Sequence, residues 1–151
     1  MRNRVWTVAV ALALATSWAA DKGVRAEVVG GTLDGLPKKA DARLDFMSAD
    51  DLAVRCGKSE VRIPYNSIQV VEYGQRVGRR YAAAILISPV FLLSKARKHY
   101  LTIEFQGRDG KQQALVFRVD KNDIRPALAS IEARTGRRIE YQDDEARKTG
   151  R

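Results

Sequence analysis

The sequence predicts a small, mainly β domain closed by one C-terminal helix. Two rhythms predict it. From Leu44 to Val119 apolar residues recur at every second position and turn residues interrupt them at close intervals. From Ile124 onward the apolar spacing becomes helical. A period of two marks strands with one face on a core, and a period near 3.6 marks an amphipathic helix.

Taken in order, Glu27-Val28-Val29-Gly30-Gly31-Thr32 reads as a first strand interrupted by glycines, and Gly35, Pro37 and Lys38-Lys39 mark a loop. Leu44 and Phe46 then face one way and Arg43 and Asp45 the other. After a turn over residues 48–51, Leu52, Val54 and Cys56 resume the apolar face opposite Arg55. Gly57-Lys58-Ser59 turns the chain again, and Val61 and Ile63 alternate with Arg62. Pro64 to Ser67 form a corner, and Ile68 to Tyr73 form the next strand, ending at Gly74. Tyr100 to Phe105 alternate cleanly, and Gln106 to Gly110 form a hairpin connection to a returning strand with Leu115, Phe117 and Val119 on its apolar face. The Asp109-Gly110 pair supplies the positive-φ residue such turns need. Asn122 or Asp123 is the expected helix cap, Pro126 sits in the tolerated first turn, and Gly136 ends the segment. Arg134, Arg137 and Arg138 lie where the helix dipole favours cations. Ile139 and Tyr141 are expected to pack briefly, and residues 142–151 to form a loose polar tail.

The 151-residue chain carries a formal net charge of +9. Its start, Met1-Arg2-Asn3-Arg4, precedes an apolar run from Val5 to about Ala15 and the small residues Ser17 and Ala19. That arrangement describes a secretory signal peptide over residues 1–19, cut after Ala19. The run is shorter than the roughly 20 residues needed to span a bilayer, and a retained N-terminal anchor is the competing reading. An exported product, periplasmic or secreted, follows. A basic exported domain favours acidic partners, of which an anionic membrane surface or another envelope protein fits better than nucleic acid. Cys56 is the single cysteine, so no intrachain disulfide forms and the core itself must hold the fold. A buried, inert thiol is expected there, with an intermolecular disulfide as the minor alternative.

Seven short strands followed by one helix resemble the element order of bacterial pleckstrin-homology-like domains, including the GRAM-type branch. The phrase Val61-Arg62-Ile63-Pro64-Tyr65-Asn66-Ser67-Ile68 resembles their strand, corner and strand, and the stretch from Ile103 to Phe117 resembles their last hairpin. The chain also looks like small exported bacterial proteins of unknown function, which share an ending like residues 132–143. The resemblance covers about residues 27–141 and implies a bent, partly open antiparallel barrel of about seven strands capped by the helix, with the domain spanning 20–141. It carries no activity across. Relatives that bind inositol lipids use a basic motif between their first two strands, where this chain offers only Lys38, Lys39 and Arg43.

One segment does not fit. Between Gly74 and His99 lies a run with no charge from Ala82 to Leu93, with Arg76, Arg79 and Arg80 before it and Lys95, Arg97 and Lys98 after it. Residues 76–98 therefore read as an insertion in a place where a few linking residues suffice. Three readings stay open. Ile85, Leu86, Val90, Phe91 and Leu92 can fill the barrel mouth as core, dip below lipid headgroups while the cations meet phosphate, or form a protein interface such as a homodimer. These apolar residues and the six flanking cations are the candidate lipid or partner contacts.

No motif frames a catalytic residue, a metal or a cofactor. His99 is the one histidine, expected at a strand end, and no sequence signature surrounds a nucleophilic serine. Asp50-Asp51 and Asp143-Asp144-Glu145 lack calcium-loop spacing, and the glycines match no phosphate loop. The expected function is a non-enzymatic binding or scaffold module of the periplasm or cell envelope. The alternatives are a peripheral membrane protein using the tip over residues 82–93, and a secreted enzyme whose carboxylates meet only in three dimensions.

Overall fold

The structure is a computed structural model, and it describes residues 23–77 and 98–150. It is mainly β. Seven strands match the expected number: β1 Val24–Gly31, which starts before Glu27, β2 Ala40–Asp45, which starts before Leu44 and ends before Phe46, β3 Asp51–Cys56, β4 Ser59–Pro64, β5 Ile68–Gly74, β6 His99–Gln106 and β7 Gln112–Val119. A 3-10 turn over Tyr65–Ser67 makes the corner between β4 and β5. A helix, α1, follows at Ile124–Thr135, then a two-residue strand β8 at Glu140–Tyr141 and a second short helix α2 at Asp144–Gly150.

The strands form one open sheet in the order β4-β3-β2-β1-β7-β6-β5-β8. Every pair is antiparallel except β5 with β8. The chain thus builds outward from β1 to β4, then crosses to β5 and works back through β6 and β7 to pair with the other side of β1. One side of this sheet carries Val28, Leu44, Val54, Ile63, Val71, Leu101, Ile103, Leu115 and Phe117 into the core. An irregularity between Val28 and Gly30 interrupts the pairing of β1 with β7, and the adjacent Val28 and Val29, on opposite faces of the strand, belong to two different apolar clusters. The β6–β7 hairpin closes as its residues require, with Gly110 at φ 76° and the Gly107 amide donating to the Lys111 carbonyl at 2.8 Å.

Helix α1 packs on the core through Ile124, Leu128 and Ile131, at the expected spacing. Its C-terminus is finished by Gly136 at φ 66°, whose amide donates to the Glu132 carbonyl at 2.9 Å. Only glycine adopts that left-handed cap without cost. Arg134 in the last turn lies over the Tyr65 ring, 6.0 Å from its centre. The N-terminus differs from expectation. Asp123 makes no side-chain capping bond, and the Asp120 carbonyl instead accepts from the Asp123 and Ile124 amides, both at 3.0 Å.

The end of the described chain corrects a second expectation. Residues 142–151 read as a loose tail, yet 144–150 are helical with Ala146 fully buried. The Asp143 carboxylate accepts from the Ala146 amide at 2.7 Å and starts the helix. Gly150 lies so close to its neighbours that an added Cβ would sit 2.7 Å from Tyr141 and 3.1 Å from Leu128. Small residues anchor this helix, so hydrophobic periodicity gave no sign of it.

Candidate functional site

The insertion is fixed at both ends by the sheet. Gly74 pairs with Tyr100, so β5 and β6 are adjacent strands joined by residues 75–98. Hairpin neighbours need roughly two to five linking residues. Of the sequence candidates, Arg76 and Lys98 are described: Arg76 is exposed and Lys98 partly so. Arg79, Arg80, Ile85, Leu86, Val90, Phe91, Leu92, Lys95 and Arg97 lie outside the described residues.

Where the insertion leaves and returns, the sheet has two features that the alternation did not announce. The first is a second apolar cluster on the side away from the core. Val29 of β1, Tyr100 of β6, and Ala114 and Val116 of β7 form it, and Val77 packs beside them. Thr102 and Glu104, on the same side of β6, are also buried. Alternation read these positions as the outward side of a strand with one face on a core. The structure instead buries six successive residues of β6, from Tyr100 to Phe105. Glu104 accepts from the Gln112 side-chain amide at 2.7 Å through one oxygen, and its other oxygen, Oε1, is buried with no hydrogen-bond partner. Among the described residues it is the one buried carboxylate.

The second feature is a cleft of about 420 Å³ at the end of the sheet, lined by Arg25, Glu27, Asp41, Lys98, His99, Arg118 and Asp120 with Ala26 and Val119. Cross-strand pairing explains the gathering: Glu27 lies opposite both Asp41 and Arg118, and His99 lies opposite Val119. Arg118 and Glu27 form an ion pair. Lys98, the last residue of the insertion, lines this cleft.

His99 begins β6 as expected, but it does not stand alone. Its Nδ1 lies 2.6 Å from the Tyr73 hydroxyl, and the two rings are stacked with centres 6.0 Å apart. Burial holds the imidazole below its ordinary pKa, helped by Lys121 and opposed by Asp120. Burial also pushes the Tyr73 hydroxyl up to about 12, so it remains protonated. A neutral imidazole beside a protonated phenol makes a satisfied hydrogen bond. Cys56 is buried at 4% exposure, and burial pushes its thiol up, away from the reactive thiolate.

Among the described residues no cluster of three or more histidine, cysteine or carboxylate side chains could hold a metal ion, and no helix is long and apolar enough to cross a membrane. The cleft residues Arg25, Asp41, Arg118 and Asp120 escaped sequence reading because the first three come from three strands, Asp120 follows the last of them, and they share no motif. The fold and its surface define a mainly β domain with a long β5–β6 connection bordering an apolar outer patch and a charged cleft. A scan against protein-family models finds no match for the chain, and a search of curated proteins finds none either.

Proposed function

We propose that this chain is a non-enzymatic binding or scaffold module of pleckstrin-homology-like architecture, exported to the periplasm or cell envelope. Its contact surface is the rim where residues 76–98 leave and rejoin the sheet. The strand order, with β1 central between two antiparallel arms and α1 on the core, supports the architecture. The observation that carries the functional reading is the concentration of unusual surface at that rim. Val77 touches a second apolar cluster and Lys98 lines a mixed-charge cleft, while Arg76 projects into solvent. A binding role also suits the state of the two chemically capable side chains, since the His99 Nδ1 is engaged by Tyr73 and the Cys56 thiol is buried.

The test is co-sedimentation of the full chain with vesicles of phosphatidylcholine alone or mixed with phosphatidylglycerol, alongside the same measurements on Phe91→Asp. Salt-sensitive binding to the anionic vesicles, lost in a folded Phe91→Asp variant, assigns the rim to a lipid surface. No vesicle binding, with Phe91→Asp folded and a concentration-dependent dimer of the parent chain disrupted, assigns it to protein contact. A monomer that ignores vesicles and unfolds on Phe91→Asp contradicts the proposal, because the apolar run is then only core.

A further inference from the structure

A second groove is lined, among the described residues, by the C-terminal segment, whose Gln142 side-chain amide also donates to the Arg76 carbonyl at 2.9 Å where the insertion leaves the sheet. It is about 750 Å³ and lies between α1, β8 and α2. Three arginines from three different segments line it: Arg125 in the first turn of α1, Arg138 in the turn after α1, and Arg147 in α2. Leu128, Ile139 and Tyr141 line its apolar part, and Glu132 is the one carboxylate among its described lining residues.

Two properties separate this groove from an ordinary basic patch. The frame is fixed. Ile139 and Ala146 are buried, the Tyr141 ring meets Tyr73 edge-on at 6.1 Å, and Gly150 is closely packed against Tyr141 and Leu128. Arg125 is itself oriented, because its Nε donates to the Thr149 carbonyl at 3.0 Å and leaves its terminal nitrogens available. The charges are also left largely uncompensated. Arg147 reaches the exposed Asp144 only at 3.8 Å, and Arg138 has no hydrogen-bond or ion-pair partner among the described residues. Every cation lining the groove is arginine. A guanidinium offers a planar fork of donors that matches the oxygens of a phosphate, which a lysine point charge does not.

We infer that this groove binds a phosphate monoester, with Arg125, Arg138 and Arg147 on the phosphate oxygens and the apolar part beneath the ester's carbon skeleton. The same chemistry is offered by a soluble phosphate ester and by the headgroup of a phosphatidic acid. The groove shares no described lining residue with the charged cleft beside Lys98.

Isothermal titration of the full chain with glycerol phosphate, and flotation with phosphatidylcholine vesicles with and without phosphatidic acid, test it. The expected dissociation constant for at least one of the two forms is on the order of 1 mM or tighter. Arg138→Gln and Arg147→Gln each weaken it about tenfold by removing a charge-assisted contact, and Arg62→Gln on β4 leaves it unchanged. Circular dichroism checks that each variant folds; Arg138 is exposed and has no hydrogen-bond or ion-pair partner among the described residues. Binding to the soluble ester identifies a small-molecule site, and binding to phosphatidic acid vesicles alone identifies a headgroup site. The absence of both at about 10 mM phosphate, or binding that Arg138→Gln and Arg147→Gln leave intact, overturns the assignment.

Discussion

Strands β2 to β4 and strands β6 and β7 belong to one sheet but have different outer faces. On the first arm the side away from the core is ionic, with charged side chains on the strand positions either side of the buried Ala53. Arg55 binds Asp45 at 2.8 Å and Glu60 at 2.9 Å, and Arg62 binds Glu60 at 2.8 Å and Asp51 at 3.3 Å. The Arg55 hydrogen bond holds the Glu60 carboxyl below its ordinary range. On the second arm the corresponding side carries Tyr100, Thr102, Glu104, Ala114 and Val116, all buried. The first arm obeys the rule that an antiparallel sheet has a core face and a wet face. The second arm is buried on both sides, as interior strands are, and its outer side leads to the ends of the long β5–β6 connection.

The contrast is sharpened most by paired substitutions on β7. Phe117 faces the core and Val116 the outer cluster, and both are fully buried. Phe117→Ala should cost about 3–5 kcal/mol of unfolding free energy. Val116→Ala should cost about 1–2 kcal/mol, the value for losing buried methyl groups. Urea denaturation measures both. A Val116→Ala cost indistinguishable from zero would make the outer side of β7 a wet face after all.

Glu104 gives a smaller effect of opposite sign. Its Oε1 is buried and unpartnered, and an unmet acceptor in such a place costs about 1–3 kcal/mol. Glu104→Met removes that oxygen and keeps the volume, so it should stabilise the fold by about 1–2 kcal/mol. Destabilisation in the same urea experiment would mean that the carboxylate has a partner that matters.

The smallest expected effect is in pH. His99 is held below its ordinary value of 6.5 by burial. Below that value the unfolded chain binds a proton at this position that the folded chain resists. The contribution of His99 to stability is therefore full above 6.5 and declines as pH falls through 6.5 toward the depressed folded value. Comparing the parent chain with His99→Gln across that window isolates the term, and a stability that rises on acidification only when His99 is present would contradict it.

The same comparison explains what the sequence disclosed. Alternation located the seven main strands because each buries at least one face, and Leu52-Ala53-Val54-Arg55-Cys56 and Val61-Arg62-Ile63 advertise that face plainly. Ile124, Leu128, Ile131 and Gly136 located α1 in the same way. The second apolar side of β6 was hidden because its residues are tyrosine, threonine and glutamate, which look like solvent-facing positions in a one-faced strand. Helix α2 was hidden because alanine and glycine anchor it. The candidate contacts Arg76 and Lys98 were legible from the charge pattern, whereas the cleft beside Lys98 and the arginine groove were not, since their residues are gathered by strand pairing and helix return.

The claim that β6 is covered on both sides can be measured directly by thiol labelling. In a Cys56→Ser background, a cysteine placed by Thr102→Cys on the outer side of β6 is compared with one placed by Arg62→Cys on the outer side of β4, where the native side chain is exposed. The two-sided account predicts that the β4 thiol reacts with an aromatic disulfide reagent at the rate of an exposed cysteine, while the β6 thiol reacts only as fast as the fold opens. Equal, rapid labelling of both would contradict it.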